Sequence, residues 1–517
     1  MKRMKILAIS AAAVFCASLA AAQDMDFGDD FGSDFGSDFG DSSSSSSFSA
    51  GSFSVNGEAQ INFRAYVDDK DTIGLPIDEW NTWVDPKGKI GLNYSNDTVS
   101  ADVKFALSKD IITDYKSDII DELTLEATFG NFVVQAGKMK VVWGKGDKLH
   151  VLDNFNANDY KDFLIPDYID RRISEPMVRV LYNAPNDVGP FTSNRFELVW
   201  TPFITADRYA ASGRWVPNQV NELKGNLTGI AKESIENTVS EMEKARIAII
   251  KGDNTKQAEF EDLNKTYISQ LSRSSSLADN LYPDLYQLKY MQAGARFTTT
   301  TGSWDWGVSY YFGRDKRASI DSAKMGSYVK KYLEGTAGED DKFIDYDFLQ
   351  VFGVEAAKTF GAYNFRAEAA YNLTQDVAGD NPRIHNNSVA WVFGFDRDLP
   401  ISELNFNLQT QGKYIINHDE IEKNPLDTEN STYETDNKLV LNISDNLLHG
   451  KLKPEISAIY GFEHFDLIIM PKITWYVSDG LEFSANGMYM QSFIKNRSEF
   501  GDWHNNSFVQ ISAKYTF

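Results

Sequence analysis

The sequence predicts an all-β protein: a transmembrane, antiparallel, up-and-down β-barrel of about 18 strands, within a range of about 14 to 20, that carries a helical extracellular insert. Two observations lead to this fold class. Apolar and polar residues alternate with a period of two through runs of about nine to thirteen residues, and about nine to eleven tilted residues cross a bilayer. The links between these runs alternate between short turns and long polar segments, which is typical of a chain that passes up and down through a membrane.

The composition limits the partners of the chain. Of its 517 residues, 51 are basic and 74 are acidic, which gives a formal net charge of -23. Because this excess of negative charge repels phosphate groups, we expect no nucleic-acid partner. The single cysteine, Cys16, leaves no thiol pair for a disulfide or a thiolate metal site, and no cofactor is expected.

Residues 1–22 are predicted to be a signal peptide. A basic start precedes an apolar run, residues 6–19, and a small-residue cleavage site, residues 20–22. No later apolar run reaches about 18 residues, so no helix is expected to cross a membrane on its own. The chain is therefore predicted to be exported without a helical membrane anchor.

Residues 23–52 are predicted to be a disordered periplasmic linker. Residues 27–41 repeat a Phe-Gly unit with aspartate and serine, and residues 42–47 are all serine. Because glycine and serine keep the backbone flexible and closely spaced aspartates repel one another, this tract cannot form a packed core. A tether that binds another periplasmic component is the alternative interpretation.

The barrel itself is predicted to occupy residues 53–517. In the first run Phe53 and Ile61 lie on one face of the strand, while Glu58 and Arg64 lie on the other. The second face is too consistently polar for the core of a soluble sandwich. It is therefore predicted to line the interior of the barrel, while the apolar face meets outer-membrane lipid.

The links between the strands are predicted to differ in length at the two ends of the barrel. Tight turns are expected where turn-forming residues cluster, at 95–97, 130–131, 301–303, 361–362, 398–400 and 478–480. Long extracellular loops are expected at 68–86, 144–176, 202–285, 313–343, 374–386, 415–434 and 493–504.

Residues 204–285 are predicted to hold a helical hairpin within an extracellular loop. Val220, Leu223 and Leu227 recur at helical spacing, and the same spacing returns from Phe260 after a Gly-Asp-Asn break. Two such helices can bury their apolar stripes against each other. A structural lid above the barrel mouth is one interpretation, and a gate, a receptor surface or a partner-binding domain are the others.

The polar faces of the predicted strands supply the candidate site, which is the lining of a pore. Acids and bases both occur there, and a charge that faced lipid near the midplane would cost about 2–4 kcal/mol. Opposed acids and bases favour small polar solutes over apolar ones. For individual residues, charges that only brace the wall are the alternative. The predicted pore-lining residues are Glu58, Arg64, Asp102, Lys104, Glu122, Glu126, Lys138, Lys140, Arg179, Arg195, Glu197, Arg366, Glu368 and Lys472.

The last predicted strand alternates up to a terminal aromatic residue, through Val509, Ile511, Ala513, Tyr515 and Phe517. This ending resembles the carboxy-terminal signal of bacterial outer-membrane barrel proteins. The resemblance implies a porin-like, integral protein in the outer membrane of a double-membraned bacterium. It also implies that the barrel-assembly machinery is a partner, which inserts the chain by recognising these residues.

A local resemblance of a different kind lies in residues 136–178. Residues 136–139 read Ala-Gly-Lys-Met and lead into Trp143 and Gly144, after which an Asn/Asp-rich segment follows. This pattern is similar to that of a group of uncharacterised barrel proteins, and more distantly to alginate-export barrels, which have a Gly-Arg-Gln strand that ends in Trp-Gly.

The same strand departs from strict alternation. Lys138 and Lys140 share the parity of apolar neighbours, and a bulge at Gly137 is predicted to turn both lysines inward. The following segment, 144–176, is then a candidate constriction that folds into the lumen. A plain extracellular loop is the alternative.

The leading functional hypothesis is an outer-membrane channel for the passage of small hydrophilic solutes. An enzyme is not predicted, since the sequence has no Gly-x-Ser-x-Gly motif, no paired zinc-ligand histidines and no phosphate-binding loop. No catalytic, cofactor-binding or metal-binding residue is assigned, and no local signal specifies an oligomeric state. The alternative function is a surface-exposed adhesin or receptor that uses the barrel as a scaffold for its loops. A filled lumen favours that alternative, and a continuous opening favours the channel.

Overall fold

The computed structural model describes residues 52–67, 81–147, 149–423, 426–494 and 497–517. The predicted signal peptide lies outside the described residues, as does the predicted linker except for residue 52. In chain order the strands are β1 (Ser52–Tyr66), β2 (Asn81–Ser95), β3 (Val99–Ser108), β4 (Ile120–Phe129), β5 (Phe132–Met139), β6 (Asp159–Tyr160), β7 (Glu175–Asn183), β8 (Phe191–Thr201), β9 (Arg208–Tyr209), β10 (Gln292–Thr301), β11 (Trp304–Arg314), β12 (Ser319–Ile320), β13 (Ile344–Asp345), β14 (Phe348–Phe360), β15 (Tyr363–Thr374), β16 (Ser388–Asp398), β17 (Asn405–Ile415), β18 (Thr435–Ser444), β19 (Leu452–Gly461), β20 (Asp466–Ser478), β21 (Leu481–Ser492) and β22 (Phe508–Thr516).

An 18-stranded sheet closes on itself to form the barrel. Each barrel strand pairs antiparallel with its neighbour in chain order, and β22 pairs with β1 over Glu58–Tyr66 to complete the ring. The two-residue strands β6, β9, β12 and β13 form two small sheets apart from it. Closure leaves no unpaired sheet edge, which is the condition for a sheet to sit in a bilayer. The predicted fold class is confirmed.

The two ends of the barrel differ as predicted. The predicted tight turns are confirmed except for that at 398–400, which is a longer link, 399–404. Gly130, Gly302 and Gly361 occupy tight turns with φ of 60°, 62° and 62°, a conformation that glycine adopts without strain. We call this end of the barrel the turn end and the opposite end the loop end. Links at the loop end include 109–119, 140–174, 202–291, 315–347, 375–387, 416–434 and 493–507, with one short link at 462–465.

The outer face of the barrel is apolar. Side chains such as Phe63, Leu198, Phe393 and Ile511 are exposed there, on strands from all around the sheet. An apolar surface that continues around a whole molecule is far larger than the patches that soluble monomers expose. Together with the short turns and long loops, this face gives the molecule the architecture of bacterial outer-membrane barrels.

The predicted helical insert is confirmed, and it is larger than expected. The helices are α1 (Lys109–Thr113), α2 (Tyr168–Arg171), α3 (Asn218–Ile250), α4 (Gln257–Ser274), α5 (Ser322–Glu334) and α6 (His418–Glu422). Helices α3 and α4 form the predicted hairpin. Helix α5, which lies within the predicted polar loop 313–343, contacts both, and its Val329 and Leu333 share a buried cluster with Leu223 of α3. We call α3, α4 and α5 the cap helices. Among the described residues, no helix has the length and apolar character needed to cross a membrane.

The interior of the barrel differs between its two halves. Toward the loop end, wall residues such as Val440, Ile468 and Phe508 pack against Phe163 and Trp215, which belong to inward-folded links. Toward the turn end, the inward-facing side chains are polar and partly exposed, among them Asp102, Glu126, Arg195 and Arg366.

Candidate functional site

The link between β5 and β7, residues 140–174, folds into the barrel. We call it the lumenal link. Its Leu149, Phe155 and Leu164 are fully buried, because they pack against inward-facing wall residues instead of projecting into solvent. The prediction that this segment folds into the lumen is therefore confirmed, and the alternative of a plain extracellular loop is wrong.

One buried carboxylate holds the middle of the lumenal link. Glu368 of β15 accepts hydrogen bonds from the backbone N–H groups of Gly146, at 2.5 Å, and Val151, at 2.8 Å. The ring Nδ1 of His150 donates to the same carboxylate over 3.1 Å. In the sheet order β15 is separated from β5 by β7, β8, β10, β11 and β14. The link therefore crosses the lumen from the wall where it starts.

Further polar contacts fix the link on other parts of the wall. Trp143 Nε1 donates to Glu197 Oε1 of β8 over 2.9 Å. On another part of the wall, Arg64 of β1 forms an ion pair with Asp162 at 2.6 Å, and its side chain is 1% exposed. Because these contacts lie on strands far apart in the ring, the link is attached to the wall at separate points and spans the lumen between them.

The predicted pore-lining residues lie on inward-facing strand positions, apart from two lysines. In the register of the sheet, Glu58 pairs with Lys89 and Lys104 pairs with Glu122. Arg179 pairs with the residue two positions after Glu197 in β8. The inward-facing residues are Glu58, Arg64, Asp102, Lys104, Glu122, Glu126, Arg179, Arg195, Glu197, Arg366, Glu368 and Lys472. Several of them brace the wall in ion pairs.

Three of these pairs show how the wall is braced. Lys104 and Glu122 meet at 3.2 Å across β3 and β4. Arg179 Nε donates to Glu197 over 2.7 Å across β7 and β8. The Glu197 carboxylate is almost fully buried, whereas Lys104 remains half-exposed to the lumen. Bracing and water-facing roles therefore coexist along the same lining.

Lys138 does not face the lumen, so the predicted effect of the bulge is wrong for this residue. Gly137 has a φ of 147°, and Lys138 pairs with Leu123, whose side chain is exposed on the outer face. The ammonium group donates to the backbone carbonyl groups of Ile120, at 2.7 Å, and Ser117, at 3.2 Å. The lysine is tolerated on this face because the strand ends here and nearby carbonyl groups accept hydrogen bonds from its ammonium group.

Lys140 lies just beyond the end of β5 and is not part of the strand wall. Its ammonium group forms an ion pair with Asp121 at 3.2 Å, and the lysine side chain is 8% exposed. It therefore anchors the root of the lumenal link.

A cavity of about 150 Å³ lies between the lumenal link and the barrel wall. This is roughly ten times the space that a single water needs. The wall side of the cavity is formed by β14 to β17, and the remaining side by the first residues of the β11–β14 link. Its neutral polar lining residues are Asn154, Asn156, Asn158, Asn372, Thr374, Asn386, Ser388 and Gln411.

The charges around this cavity are balanced. Its basic lining residues are Arg172, Arg314, Lys316, Arg317 and Lys413, and its acidic ones are Asp153, Asp207 and Asp315. Two buried carboxylates lie directly behind: Glu175 at 3.6 Å from Lys316 and Glu429 at 2.8 Å from Lys413. These two make the acids equal in number to the bases. The cavity therefore has no net charge with which to select an anion or a cation.

Several buried amide atoms of the cavity have no hydrogen-bond partner among the described residues. They are the side-chain nitrogen of Asn154 and the side-chain oxygens of Asn386 and Gln411. A buried polar group left without a partner costs about 1–3 kcal/mol. The cavity thus offers both a donor and acceptors to a polar guest or to water.

The carboxylates around the cavity differ in how strongly the folded chain favours their charge. Burial, and then the nearby Asp315 carboxylate, raise the pKa of Asp207 to about 6, although the Asn158 backbone N–H donates to it. Burial also opposes ionisation of Glu429, yet Lys413 and Arg317 hold its pKa at about 2. Asp207 and Glu429 both lie in links between the barrel strands.

The raised pKa of Asp207 predicts a pH-dependent effect on stability. Its folded pKa of about 6 exceeds the ordinary value of 3.8, so between these two values the folded chain holds a proton that the unfolded chain has released. Stability therefore falls as the pH rises through this window. We expect Asp207→Asn to exceed the wild type in free energy of unfolding by about 1–3 kcal/mol at pH 7.5 and to match it near pH 4.

Urea unfolding in lipid vesicles at the two pH values measures this difference. Asp315→Asn is the control of opposite sign, because the Arg317 guanidinium outweighs burial and lowers the pKa of Asp315. It should lose stability at pH 7.5. A gain for Asp207→Asn that is the same at both pH values would contradict the prediction.

Comparisons with known proteins add little to this geometry. No family model and no curated protein matches the chain. A loop-deletion mutant of OmpT, an outer membrane protein of Vibrio cholerae, is similar with 9% identity over 91% of this chain and 100% of that chain, at a TM-score of 0.35. A mutant of the Rh. blastica porin has 11% identity over 90% of this chain and 100% of that chain, at a TM-score of 0.36. At these values the similarities carry no argument, and the barrel is established by its own strand pairing.

Proposed function

We propose that this protein is an outer-membrane channel that admits small hydrophilic solutes through a lumen restricted by the lumenal link, and that it has no enzymatic role. The observation that carries the proposal is the cavity inside the barrel. It is bounded by the barrel wall and by inward-folded links, its charges balance, and it presents unpartnered amide groups. A chain that used its barrel only as a scaffold would gain nothing from burying such groups without partners.

The chemistry of the cavity favours neutral, hydroxylated solutes over ions. Balanced charges give no advantage to either sign of ion, whereas hydroxyl groups can both donate to and accept from the amide groups of Asn154, Asn386 and Gln411. Toward the turn end, partly exposed charges such as Lys104 keep the path wet. A solute that leaves the cavity in this direction therefore stays in contact with water.

The same proposal includes the location and the partners. The apolar outer face would lie in outer-membrane lipid, the chain would reach this membrane through its export signal, and the barrel-assembly machinery would insert it. Small polar solutes would be the ligands of the lumen.

The proposal is tested by solute uptake into liposomes, together with single-channel conductance in planar bilayers. The wild type is expected to give small, stable conductance steps and to admit small neutral polyols. Gln411→Leu keeps the size of the side chain but removes its unpartnered oxygen. We expect it to slow polyol uptake by about fivefold, which corresponds to the loss of about one hydrogen bond of about 1 kcal/mol.

Gln60→Leu is the matched control for that variant. Gln60 faces inward on β1 and bonds to Asn62, but it does not line the cavity. Its uptake rate should equal that of the wild type. A folded wild-type barrel that gives neither conductance steps nor uptake would remove the channel proposal.

A surface-interaction protein is the second candidate function. It is favoured by the filled loop half and by the cap helices, which expose Ile250, Ile268 and Leu271. Exposed apolar side chains on a helical surface suit a protein partner. A barrel that does not conduct, with a cap that retains a soluble or cell-surface ligand on an affinity column, would support this function instead.

A further inference from the structure

A cluster of potential metal ligands lies at the loop end, apart from the cavity. Asp436, His464 and Glu499 each bring one carboxylate oxygen or ring nitrogen within 4.8 Å of the others. Asp436 is the second residue of β18, His464 is in the short β19–β20 link, and Glu499 is in the β21–β22 link. Their side chains are 12%, 10% and 0% exposed. Three separate segments of the chain therefore meet at one buried point.

The charges at this point are not balanced by the chain. Lys438 is fully buried, and its ammonium nitrogen lies 2.8 Å from Asp436 Oδ2 and 3.0 Å from Glu499 Oε2. One ammonium group thus serves two carboxylates. The other oxygens, Asp436 Oδ1 and Glu499 Oε1, have no hydrogen-bond partner among the described residues. A buried negative charge without compensation is costly, so the cluster has room for one more positive charge, which a proton or a metal ion can supply.

A further carboxylate close to the cluster, that of Asp466, does not supply the missing positive charge. It accepts three hydrogen bonds: from the backbone N–H of Glu499 over 2.5 Å, from the backbone N–H of Phe500 over 3.0 Å, and from the Ser498 hydroxyl over 2.7 Å. It positions Glu499 through the backbone, and it adds negative charge nearby.

His464 is oriented as metal-binding histidines are. Its Nδ1 lies 2.8 Å from the carbonyl oxygen of Arg497, and because a carbonyl oxygen only accepts, Nδ1 carries the proton. The lone pair is then on Nε2, which lies 3.9 Å from Asp436 Oδ1. The Tyr433 ring packs edge to face against the imidazole, with centroids 5.1 Å apart. A histidine whose other nitrogen donates to a carbonyl group presents its free nitrogen as a ligand.

We propose that Asp436, His464 and Glu499 bind one divalent transition-metal ion of the Zn²⁺ class. Its ligands are Asp436 Oδ1, His464 Nε2 and the Glu499 carboxylate, and Lys438 stays as the partner of the remaining oxygens. One ring nitrogen with two carboxylates suits a borderline metal such as zinc, with a water in the fourth position. Calcium needs six to eight oxygen ligands, which this cluster does not supply.

The bound ion fixes the part of the β21–β22 link that lies inside the barrel. Phe500, next to Glu499, and Trp503 reach into the lumen, where their rings lie 5.7 Å and 5.0 Å from the ring of Phe163 in the lumenal link. The metal joins this β21–β22 link to β18 and to the β19–β20 link. The bound ion therefore holds these rings in place and stabilises the folded barrel.

The test is zinc binding by the refolded, full-length mature barrel after it has been stripped with a chelator. Isothermal titration and elemental analysis are expected to give one zinc per chain, and Co²⁺ is expected to give the visible absorption of a protein-bound ion. His464→Gln should weaken zinc binding by at least about tenfold. Its matched control is His504→Gln, a change of an exposed histidine in the same β21–β22 link. That control should bind zinc like the wild type.

A stability measurement gives an independent readout. Zinc should raise the temperature at which the wild-type barrel loses its heat-modifiable band, and should leave that temperature unchanged in His464→Gln. Wild-type barrel that retains no stoichiometric zinc, or that binds zinc no more tightly than His464→Gln, would overturn the proposal. Neither readout depends on conductance, so the metal site stands or falls separately from the channel.

Discussion

Glu368→Ala is expected to release the lumenal link and to raise the single-channel conductance several-fold. The buried carboxylate is the common acceptor of two backbone N–H groups, those of Gly146 and Val151, and of the His150 ring. Without it, each buried N–H group loses its partner at a cost of about 1–3 kcal/mol. The link can recover that free energy only by moving to where water reaches its donors. The barrel should therefore conduct more, and its free energy of unfolding should fall by at least about 2 kcal/mol.

Glu122→Ala is the control for this prediction. Glu122 also faces the lumen, but it pairs with Lys104 across β3 and β4, and among the described residues no hydrogen bond or ion pair joins its side chain to the link. Because this pair is partly exposed, its loss should change stability by at most about 1 kcal/mol and leave the conductance step size close to that of the wild type. Equal conductance in Glu368→Ala and wild type, with the variant folded, would show that the link does not restrict the lumen.

Deleting Phe517 is expected to lower the yield of folded barrel by at least about tenfold. The Phe517 backbone exchanges two hydrogen bonds of 2.9 Å with Gly57, at the seam where β22 meets β1. Its ring lies so close to Gly57 that a side chain at that position would collide with it. Losing two seam hydrogen bonds at about 1 kcal/mol each is enough for a tenfold change. Semi-native gel electrophoresis, in which a folded barrel runs ahead of the unfolded chain, measures the yield.

Two comparisons separate the roles of this residue. Phe360→Ala removes an aromatic ring that is similarly exposed at the turn end, but it leaves the seam intact and should assemble normally. Refolding into lipid without other proteins tests the seam alone, whereas expression in cells also tests recognition by the barrel-assembly machinery. A truncation that assembles at wild-type yield in cells would refute both the seam argument and the proposed signal.

For most strand residues, the face of the sheet on which the side chain lies could be predicted, because it depends on residues that are close in the sequence. Glu58 and Ile61 point to opposite faces since successive side chains alternate across a strand, and the glycines of the turns mark where each strand ends. Lys138 shows where a departure from this reasoning fails. The pairing of β4 with β5 continues through Gly137 without a register shift, so Lys138 lies on the same face as Ala136, and the predicted bulge does not turn it inward.

The contents of the lumen could not be predicted in the same way. The sequence left open whether residues 144–176 enter the barrel, and it gave no sign that α5 joins the helical insert. Nothing in the sequence around His464 predicts its burial, yet it is buried, because Asp436 and Glu499 converge on it from distant segments. No local sequence pattern shows that three distant segments come together in this way.

The sequence by itself determined the wall: the closed antiparallel sheet, its apolar outside, its polar inside and the unequal links at its two ends. These follow from alternation and turn chemistry, which neighbouring residues carry. Only the tertiary structure decided what fills the space inside the wall. The lumenal link, the cavity and the carboxylate cluster depend on contacts such as that between Gly146 and Glu368, which are 222 positions apart. Such contacts form only when closure of the barrel brings distant strands around one interior.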